Sequence, residues 1–311
     1  MCSVGIDDDV KMVLAARRFY LDDRTRIEIA EELGITRFRV AKLLDDARER
    51  GLVTITVSDP GAVNAELSER LRSTFGLQRV LAVQTANEEN RVVRESLGRV
   101  AAELLESIVV ETDVLGLSAG RTLITMSHFL TRLSSAEIVQ MTGMAGEMGE
   151  TAGDVVRSVS QLSGALARPI YAPLLVSDAE TAQSLRSQEE ISSVFARFGE
   201  ITKGVVAIGS WDPPESQLYN NLQPVERERL AGLGARAEVC ASLYTADGSR
   251  LDELGERTLT ISLAQLRRIP EVIAVAGGPR KTAAIRAVLD AGFITTLITD
   301  AMTAERLLAR S

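Results

Sequence analysis

Histidine, cysteine and lysine are all scarce in this chain. Its 311 residues hold one histidine, His128, and two cysteines, Cys2 and Cys240. Two distant thiols and a lone imidazole exclude a disulfide framework, a zinc cluster and most histidine-rich metal sites. No metal and no cofactor is therefore expected, and the expected compartment is the cytoplasm. Aromatic residues make up only 4%, with a single tryptophan, Trp211. No apolar run approaches the roughly 18 residues that span a bilayer, and no charged segment followed by an apolar core opens the chain. Positive charge is also short, with 35 Lys and Arg against 43 Asp and Glu and a net charge of −8. That balance argues against general coating of nucleic acid and against adsorption to acidic membranes. Only four of the basic residues are lysines, Lys11, Lys42, Lys203 and Lys281, so each lysine's position is informative.

What is present is a 45% hydrophobic chain, long enough for a small head and a larger domain of about 220 residues. The head is marked by Thr25–Val57. Ile27, Ala30 and Leu33, with Ile29 beside them, recur at helical spacing, and Gly34 ends that helix. Thr36 is placed to cap a second helix whose apolar stripe is Val40, Leu43, Leu44 and Ala47. Arg37, Arg39 and Lys42 lie in the N-terminal part of that helix, with Phe38 among them and no acid from 36 to 44. Gly51 stops it, and the alternating run Leu52–Val57 reads as a wing strand. Cap, turn glycine, basic face and wing in this order describe a winged helix-turn-helix, which lays one helix in the major groove of DNA. Thr25, Thr36, Arg37, Phe38, Arg39 and Lys42 are the candidate DNA contacts. The acids Asp7–Asp9, Asp22, Asp23, Asp45 and Asp46 keep the head from being basic overall, so DNA contact must rest on a local patch repeated in an oligomer.

Three regions follow: a winged helix-turn-helix over residues 1–57, a linker helix within 58–76, and an α/β domain over 77–311. Strands are expected at Val80–Val83, Val114–Leu117, Ile138–Met141, Ile170–Pro173, Val205–Ile208, Ala237–Leu243, Val272–Ala276 and Thr296–Ile298. Helices are expected at Asn64–Phe75, Glu89–Ile108, Leu123–Leu130, Asp154–Leu166, Ala179–Phe198, Lys281–Ala291 and Ala301–Leu308. Their alternation predicts a mostly parallel, doubly wound, Rossmann-like sheet covered on both faces, with ligands beyond the carboxyl ends of the strands.

Two glycine loops sit at such ends. In Gly116–Thr122, G-L-S-A-G-R-T, small residues let the backbone approach an anion, and Ser118, Thr122 and helix N–H groups can donate to it. The loop lacks the Gly-Lys-Ser/Thr ending of a Walker motif, and a plain glycine turn explains it as well. In Ala276–Lys281, A-G-G-P-R-K, Arg280 and Lys281 stand at a helix start, where the dipole disfavours cations. Either an anion or a neighbouring acid offsets that conflict, or both side chains bend into solvent. Glu238 interrupts the apolar run A-E-V-C-A-S-L-Y and points into a pocket or marks an exposed edge. Glu147 and Glu150 are weaker alternatives, Ser210–Pro214 a rigid loop near the ligand mouth, and Cys240 a buried apolar side chain.

The chain resembles the SorC family of sugar-responsive bacterial regulators along nearly its whole length. The resemblance is carried by I-A-E-E-L-G-I-T-R-F-R-V-A-K-L-L, A-R-E-R-G-L-V, G-L-S-A-G-R-T, G-V-V-A-I-G-S, E-V-C-A-S-L-Y-T-A-D-G, V-A-G-G-P-R-K-T-A-A-I and L-I-T-D-A-M-T-A. It implies a sugar-phosphate isomerase-like effector domain that binds a small sugar, polyol or sugar phosphate and alters how a dimer or tetramer holds operator DNA. It would place Gly116, Ser118, Ala119, Gly120, Arg121, Thr122, Glu238, Gly277 and Lys281 around the effector, with Lys281 neutralising a phosphate. Ala119 stands where an aromatic residue is frequent in the family, and Ala237 where glycine is frequent. The rival classes are a sugar-phosphate isomerase with an accessory head, using Glu238 or Asp113 as base, and an architectural DNA-binding protein without a ligand. A transcription regulator, not an enzyme, is the preferred expectation.

Overall fold

The computed structural model describes residues 6–53, 62–145 and 151–309. The chain divides into two compact units, Met1–Ser58 and Asp59–Ser311. The wing expected at Leu52–Val57 lies outside the described residues beyond Val53, as do Glu147 and Glu150.

Among the described residues the first unit has three helices, α1 (Ile6–Tyr20), α2 (Arg26–Leu33) and α3 (Arg37–Glu49). Thr25 caps α2 in a reciprocal box with Glu28. Gly34 follows it at φ +64°, the left-handed conformation that a side chain disfavours, and turns the chain into α3. Thr36 Oγ1 accepts the Arg39 N–H at 3.2 Å and caps that helix. The core is Met12, Ala15 and Ala16 of α1, Ile29 and Ala30 of α2, and Val40, Leu43, Leu44 and Ala47 of α3. Ile27 corrects the expected stripe, because it is 57% exposed while Ile29 packs inward. Helix α1 is absent from the motif reading, yet it closes the third side of this core. Its acids also pair with α3, Asp8 with Arg39 at 2.9 Å and Asp9 with the C-cap Arg50 at 2.6 Å.

The second unit has twelve strands among the described residues. They are β1 (Val63–Asn64), β2 (Arg79–Val83), β3 (Val114–Leu117), β4 (Glu137–Gln140), β5 (Ala167–Arg168), β6 (Lys203–Ala207), β7 (Gly209–Ser210), β8 (Ala237–Val239), β9 (Ser242–Tyr244), β10 (Arg250–Leu251), β11 (Glu271–Val275) and β12 (Thr296–Asp300). The helices are α4 (Ala65–Phe75), α5 (Asn90–Ile108), α6 (Arg121–Phe129), α7 (Ala152–Ser163), α8 (Ala179–Arg186), α9 (Glu189–Arg197), α10 (Gln217–Asn221), α11 (Pro224–Gly232), α12 (Leu263–Leu266), α13 (Thr282–Asp290) and α14 (Ala301–Ala309). The main sheet runs β1-β2-β12-β11-β6-β3-β4-β5, parallel except for β1 against β2. Successive residues of its central strands face opposite cores. Val272 and Ala274 of β11 join Leu297 and the α13 apolar face, whereas Ile273 and Val275 join Ile298 and the α5–α7 side. Burial on both faces explains why these strands read as continuous apolar runs. The connections step outward from β3 through β4 to β5, and from β6 the other way through β11 to β12. The winding reverses between β3 and β6.

A second, antiparallel sheet, β10-β9-β8-β7, was not anticipated. The strand expected over Ala237–Leu243 is instead a hairpin, turned by Cys240 and Ala241 at φ +48° and +59°. Two successive left-handed residues match the right-handed twist of a tight hairpin. The turn is held by Glu238 Oε1, which accepts the Ala241 N–H at 3.0 Å, and by Thr260 Oγ1, which donates to the Cys240 carbonyl at 2.9 Å. Ile170–Pro173 forms no regular strand, since Pro169 and Pro173 lack ladder donors and leave a single bridge from Pro173 to Met144. The expected helix Ala179–Phe198 breaks at Ser187–Gln188, with Gln188 extended at ψ 137°, and each half buries its own short face. Lys281 lies in a 3-10 turn just before α13.

The helix expected as a linker, α4, is capped by Asn64 and ended by the left-handed Gly76. It is anchored in the second unit, with Leu67 and Leu71 in the sheet's core.

Gly277 after β11 approaches Asp300 so closely that an added Cβ would meet Asp300 Oδ2 at 2.4 Å. Gly277→Ala is expected to destabilise this unit by about 1–3 kcal/mol, the usual cost of forcing atoms into a packed site. Thermal unfolding reads it as a drop of several degrees; an unchanged Tm contradicts the close approach.

Candidate functional site

A cavity opens at the carboxyl ends of β3, β6 and β11, beside the reversal of winding where open α/β sheets hold ligands. Its walls are Asn90, Val93, Arg94 and Leu97 of α5, Gly120–Thr122 after β3, Ala207–Gly209 around the end of β6, Glu215–Gln217, Gly277 and Lys281. The cavity measures about 70 Å³. One water needs only about 10–15 Å³ of space counted this way, so a small anionic group fits, with the rest of a ligand free to extend through the open mouth.

The first turn of α6 forms one wall. Leu123 and Ile124 donate to the Gly120 carbonyl, and the N–H groups of Gly120, Arg121 and Thr122 have no acceptor among the described residues. No acid sits in that turn, and Gly120 provides no side-chain cap. Donors of this kind suit a negative ligand. Helix α5 adds Asn90 and Arg94, and it too lacks an acid in its first turn.

Lys281 lies deep in the site, its Nζ donating to the Ile208 carbonyl at 2.7 Å. Burial lowers its pKa from 10.5 to about 8; Glu215 and Glu238 work against that shift, and the Arg121 and Arg94 charges work with it. Neither arginine makes an ion pair among the described residues, Arg94 donating only to the Asn90 carbonyl at 3.1 Å. The lining carboxylate, Glu215, is shared, with Oε1 at 2.9 Å from Arg280 Nε and 3.0 Å from Asn90 Nδ2. Cations therefore outnumber acids around a small, partly enclosed space.

Of the nine sequence-predicted effector residues, Gly120, Arg121, Thr122, Gly277 and Lys281 line this cavity. The other four do not. Gly116 is packed under Met141 and Ile201. Buried Ser118 donates to the Ala119 carbonyl at 3.2 Å and accepts the Ala207 N–H at 3.4 Å, and Ala119 N–H donates to Thr142 Oγ1, so both knit the loop to its neighbours. Glu238 sits behind Ser216, whose hydroxyl donates to its Oε2 at 2.9 Å. Burial raises the Glu238 pKa, against the Ala241 N–H, the Ser216 hydroxyl and the Lys281 charge. Its place is neither a cavity wall nor an exposed edge. Gly278 N–H, in the second loop, is taken by Asp300 Oδ2 at 2.7 Å and is not open to a ligand.

Asn90, Arg94, Glu215 and Ser216 are site residues that the sequence reading missed. Arg94 lies in the second turn of α5, and only the fold brings it to Lys281. The rival base Asp113 lies at the opposite end of β3, held by Lys203 Nζ at 2.6 and 2.7 Å and by Thr202 Oγ1 at 2.7 Å. Burial acts to raise its pKa, but these bonds and the Val110 N–H outweigh it, leaving the pKa lowered. His128 is exposed near the end of α6, and burial raises the pKa of the Cys240 thiol. Trp211 is buried, packed edge-on to Tyr219 at 5.1 Å, ahead of the wall at Glu215–Gln217.

In the head, the six candidate DNA contacts separate into two sets. Thr25 donates its hydroxyl to Glu28 at 2.9 Å, and Arg39 is paired with Asp8, so both serve the head's own structure. Thr36, Arg37, Phe38 and Lys42 are exposed. Thr36 uses its oxygen as an acceptor in the cap and keeps its hydroxyl proton to donate. Arg37 and Lys42 have no carboxylate partner among the described residues, and the Arg37 guanidinium lies 5.0 Å from the Phe38 ring centre.

The family model described as "Putative sugar-binding domain" matches residues 60–309. The transcriptional regulator YjhU of Escherichia coli K12 is 32% identical over 317 residues, covering 97% of this chain and 95% of that protein. The sorbitol operon regulator of Klebsiella pneumoniae is 25% identical, covering 97% of this chain and 98% of that protein. The crystal structure of the full-length Klebsiella pneumoniae sorbitol operon regulator SorC matches with a TM-score of 0.75 at 24% identity, over 98% of this chain and 100% of that one. Among the described residues no helix is long and apolar enough to cross a membrane.

The lowered Lys281 pKa makes anion binding at the cavity pH-dependent. An unfolded lysine keeps its proton to about pH 10.4. Between about 8 and that value the unfolded chain binds the extra proton, so this group's contribution to stability rises with pH. Affinity runs the opposite way, because Lys281 is charged at pH 7 and mostly neutral above pH 9. Sulfate, which does not titrate in this range, is expected to bind more weakly as pH rises through 8, with the dependence lost in Lys281→Met. Calorimetric titration at several pH values checks this; an equal slope in both proteins contradicts it.

Proposed function

The chain belongs to the SorC family of sugar-binding transcriptional regulators, and on that premise we propose that its operator binding is controlled by a small sugar or polyol carrying a phosphate. The observation that supports this reading most strongly is the convergence of Arg94, Arg121 and Lys281 on a cavity sized for an anion's head, beside the uncapped first turn of α6. The phosphate accepts from the Gly120–Thr122 N–H groups and from Lys281. The sugar body lies outward, toward the mouth, where Asn90, Glu215 and Ser216 offer donors and acceptors to hydroxyls.

The response has a physical route. Asp300 accepts the Gly278 N–H from the cavity loop and, through Oδ1, the Thr303 N–H at 2.9 Å at the start of α14. Helix α14 packs on α4, among the first elements after the head. A ligand that shifts the Gly277–Lys281 loop thus biases α4, and through it the pairing of heads in a dimer or tetramer. Operator DNA is the partner of the exposed Thr36, Arg37, Phe38 and Lys42, and the protein works in the cytoplasm. An isomerase reading has less support, because Asp113 is neutralised away from the cavity and Glu238 is engaged behind Ser216.

Fluorescence anisotropy with labelled operator tests both halves of the proposal. A sugar phosphate should shift the midpoint for the native protein and not for Lys281→Met. Arg37→Ala should cost about 1–3 kcal/mol if its guanidinium reads a base, whereas Lys42→Ala should weaken all sequences alike and reduce the salt slope by about one. If no sugar, polyol or phosphate ester shifts the midpoint, the effector reading fails.

A further inference from the structure

The tip of α3 carries an apolar group with no partner among the described residues beyond the flanking arginine. Phe38, the second residue of the helix, is 73% exposed. The core-facing residues of α3 are Val40, Leu43, Leu44 and Ala47. Phe38 and Lys42, four apart, lie one above the other on the side turned away from that core, with Thr36 and Arg37 at the same end. The Arg37 guanidinium over the ring limits its rotation and places a positive charge against its face. A phenylalanine this exposed removes little apolar surface from water, and a phosphate offers its ring nothing. Among base edges in the major groove, one carries an apolar group, the 5-methyl of thymine.

We propose that Phe38 is a specificity-determining residue that reads a thymine methyl in each operator half-site. This rests on the reading of the head as a DNA-binding unit and adds the base it selects. Thr36 and Lys42, on either side, supply donors to the phosphates that fix the helix's register. Arg37 both holds the ring and reaches the neighbouring base pair or phosphate. The preferred half-site therefore contains a thymine at a fixed position, and the methyl rather than the Watson–Crick edge is the recognised feature.

The test uses the full chain. Its preferred sequence is first obtained by selection from random duplex DNA, and each thymine of the enriched site is then replaced singly by deoxyuridine, which removes only the methyl. For the native protein, one position in each half-site should lose about three- to fivefold in affinity, the effect of exposing one buried methyl group. Phe38→Ala, whose exposed position leaves the head folded, should bind the thymine and deoxyuridine sites equally. Phe38→Leu should keep part of the preference. A site without a deoxyuridine-sensitive thymine, or a Phe38→Ala protein with undiminished sensitivity, overturns the assignment while leaving DNA binding intact. Failure of any sequence to enrich overturns the DNA-binding reading and this assignment with it.

Discussion

Like charges held close in a poorly solvated space repel, and the α/β unit concentrates that repulsion at one point. Arg94, Arg121 and Lys281 reach a single cavity from three elements, and Glu215 is already shared between Arg280 and Asn90. Lys281 registers the conflict most clearly, with its pKa brought down to about 8. A buried amine in that state gains from an anion, whereas an exposed lysine would merely exchange water for it. The fold maintains the arrangement because each cation leaves a rigid element close to the end of a parallel strand.

Neither carboxylate expected as a base, Asp113 or Glu238, lines the cavity, and the carboxylate that does, Glu215, is held by Arg280 and Asn90. Asp113 ties β3 to β6 at the far end of the sheet, and Glu238 holds the Cys240–Ala241 turn. Such a cavity can recognise an anionic ligand. The head is built on the same economy of charge, in that Asp8 and Asp9 occupy Arg39 and Arg50 and leave Arg37 and Lys42 to face outward.

Local signals in the sequence were legible where they act locally. Gly34 and Thr36 mark a turn and a cap that need only their immediate neighbours, and the glycines at 120, 277 and 278 mark strand-to-helix turns. Alternation of apolar runs and amphipathic stretches is enough for a doubly wound sheet. Contacts between distant residues were not legible. Glu215 and Arg94 meet Lys281 only through the fold, and α1 becomes part of the head only when Met12 and Ala15 meet Ile29 and Leu43. Glu238 shows the limit of pattern reading most clearly. A charge inside an apolar run indicates that something inside requires it, and the groups Glu238 meets are the Ala241 N–H of a hairpin turn and the Ser216 hydroxyl.

A crystal structure with a sugar phosphate bound is the most direct measurement of the central claim, that the cation cluster is an effector's anion site. The phosphate should lie within hydrogen-bond distance of the Thr122 N–H and Lys281 Nζ, with the sugar toward Asn90 and Ser216. A ligand whose phosphate points to solvent, or one seated away from Arg94, Arg121 and Lys281, would contradict the account.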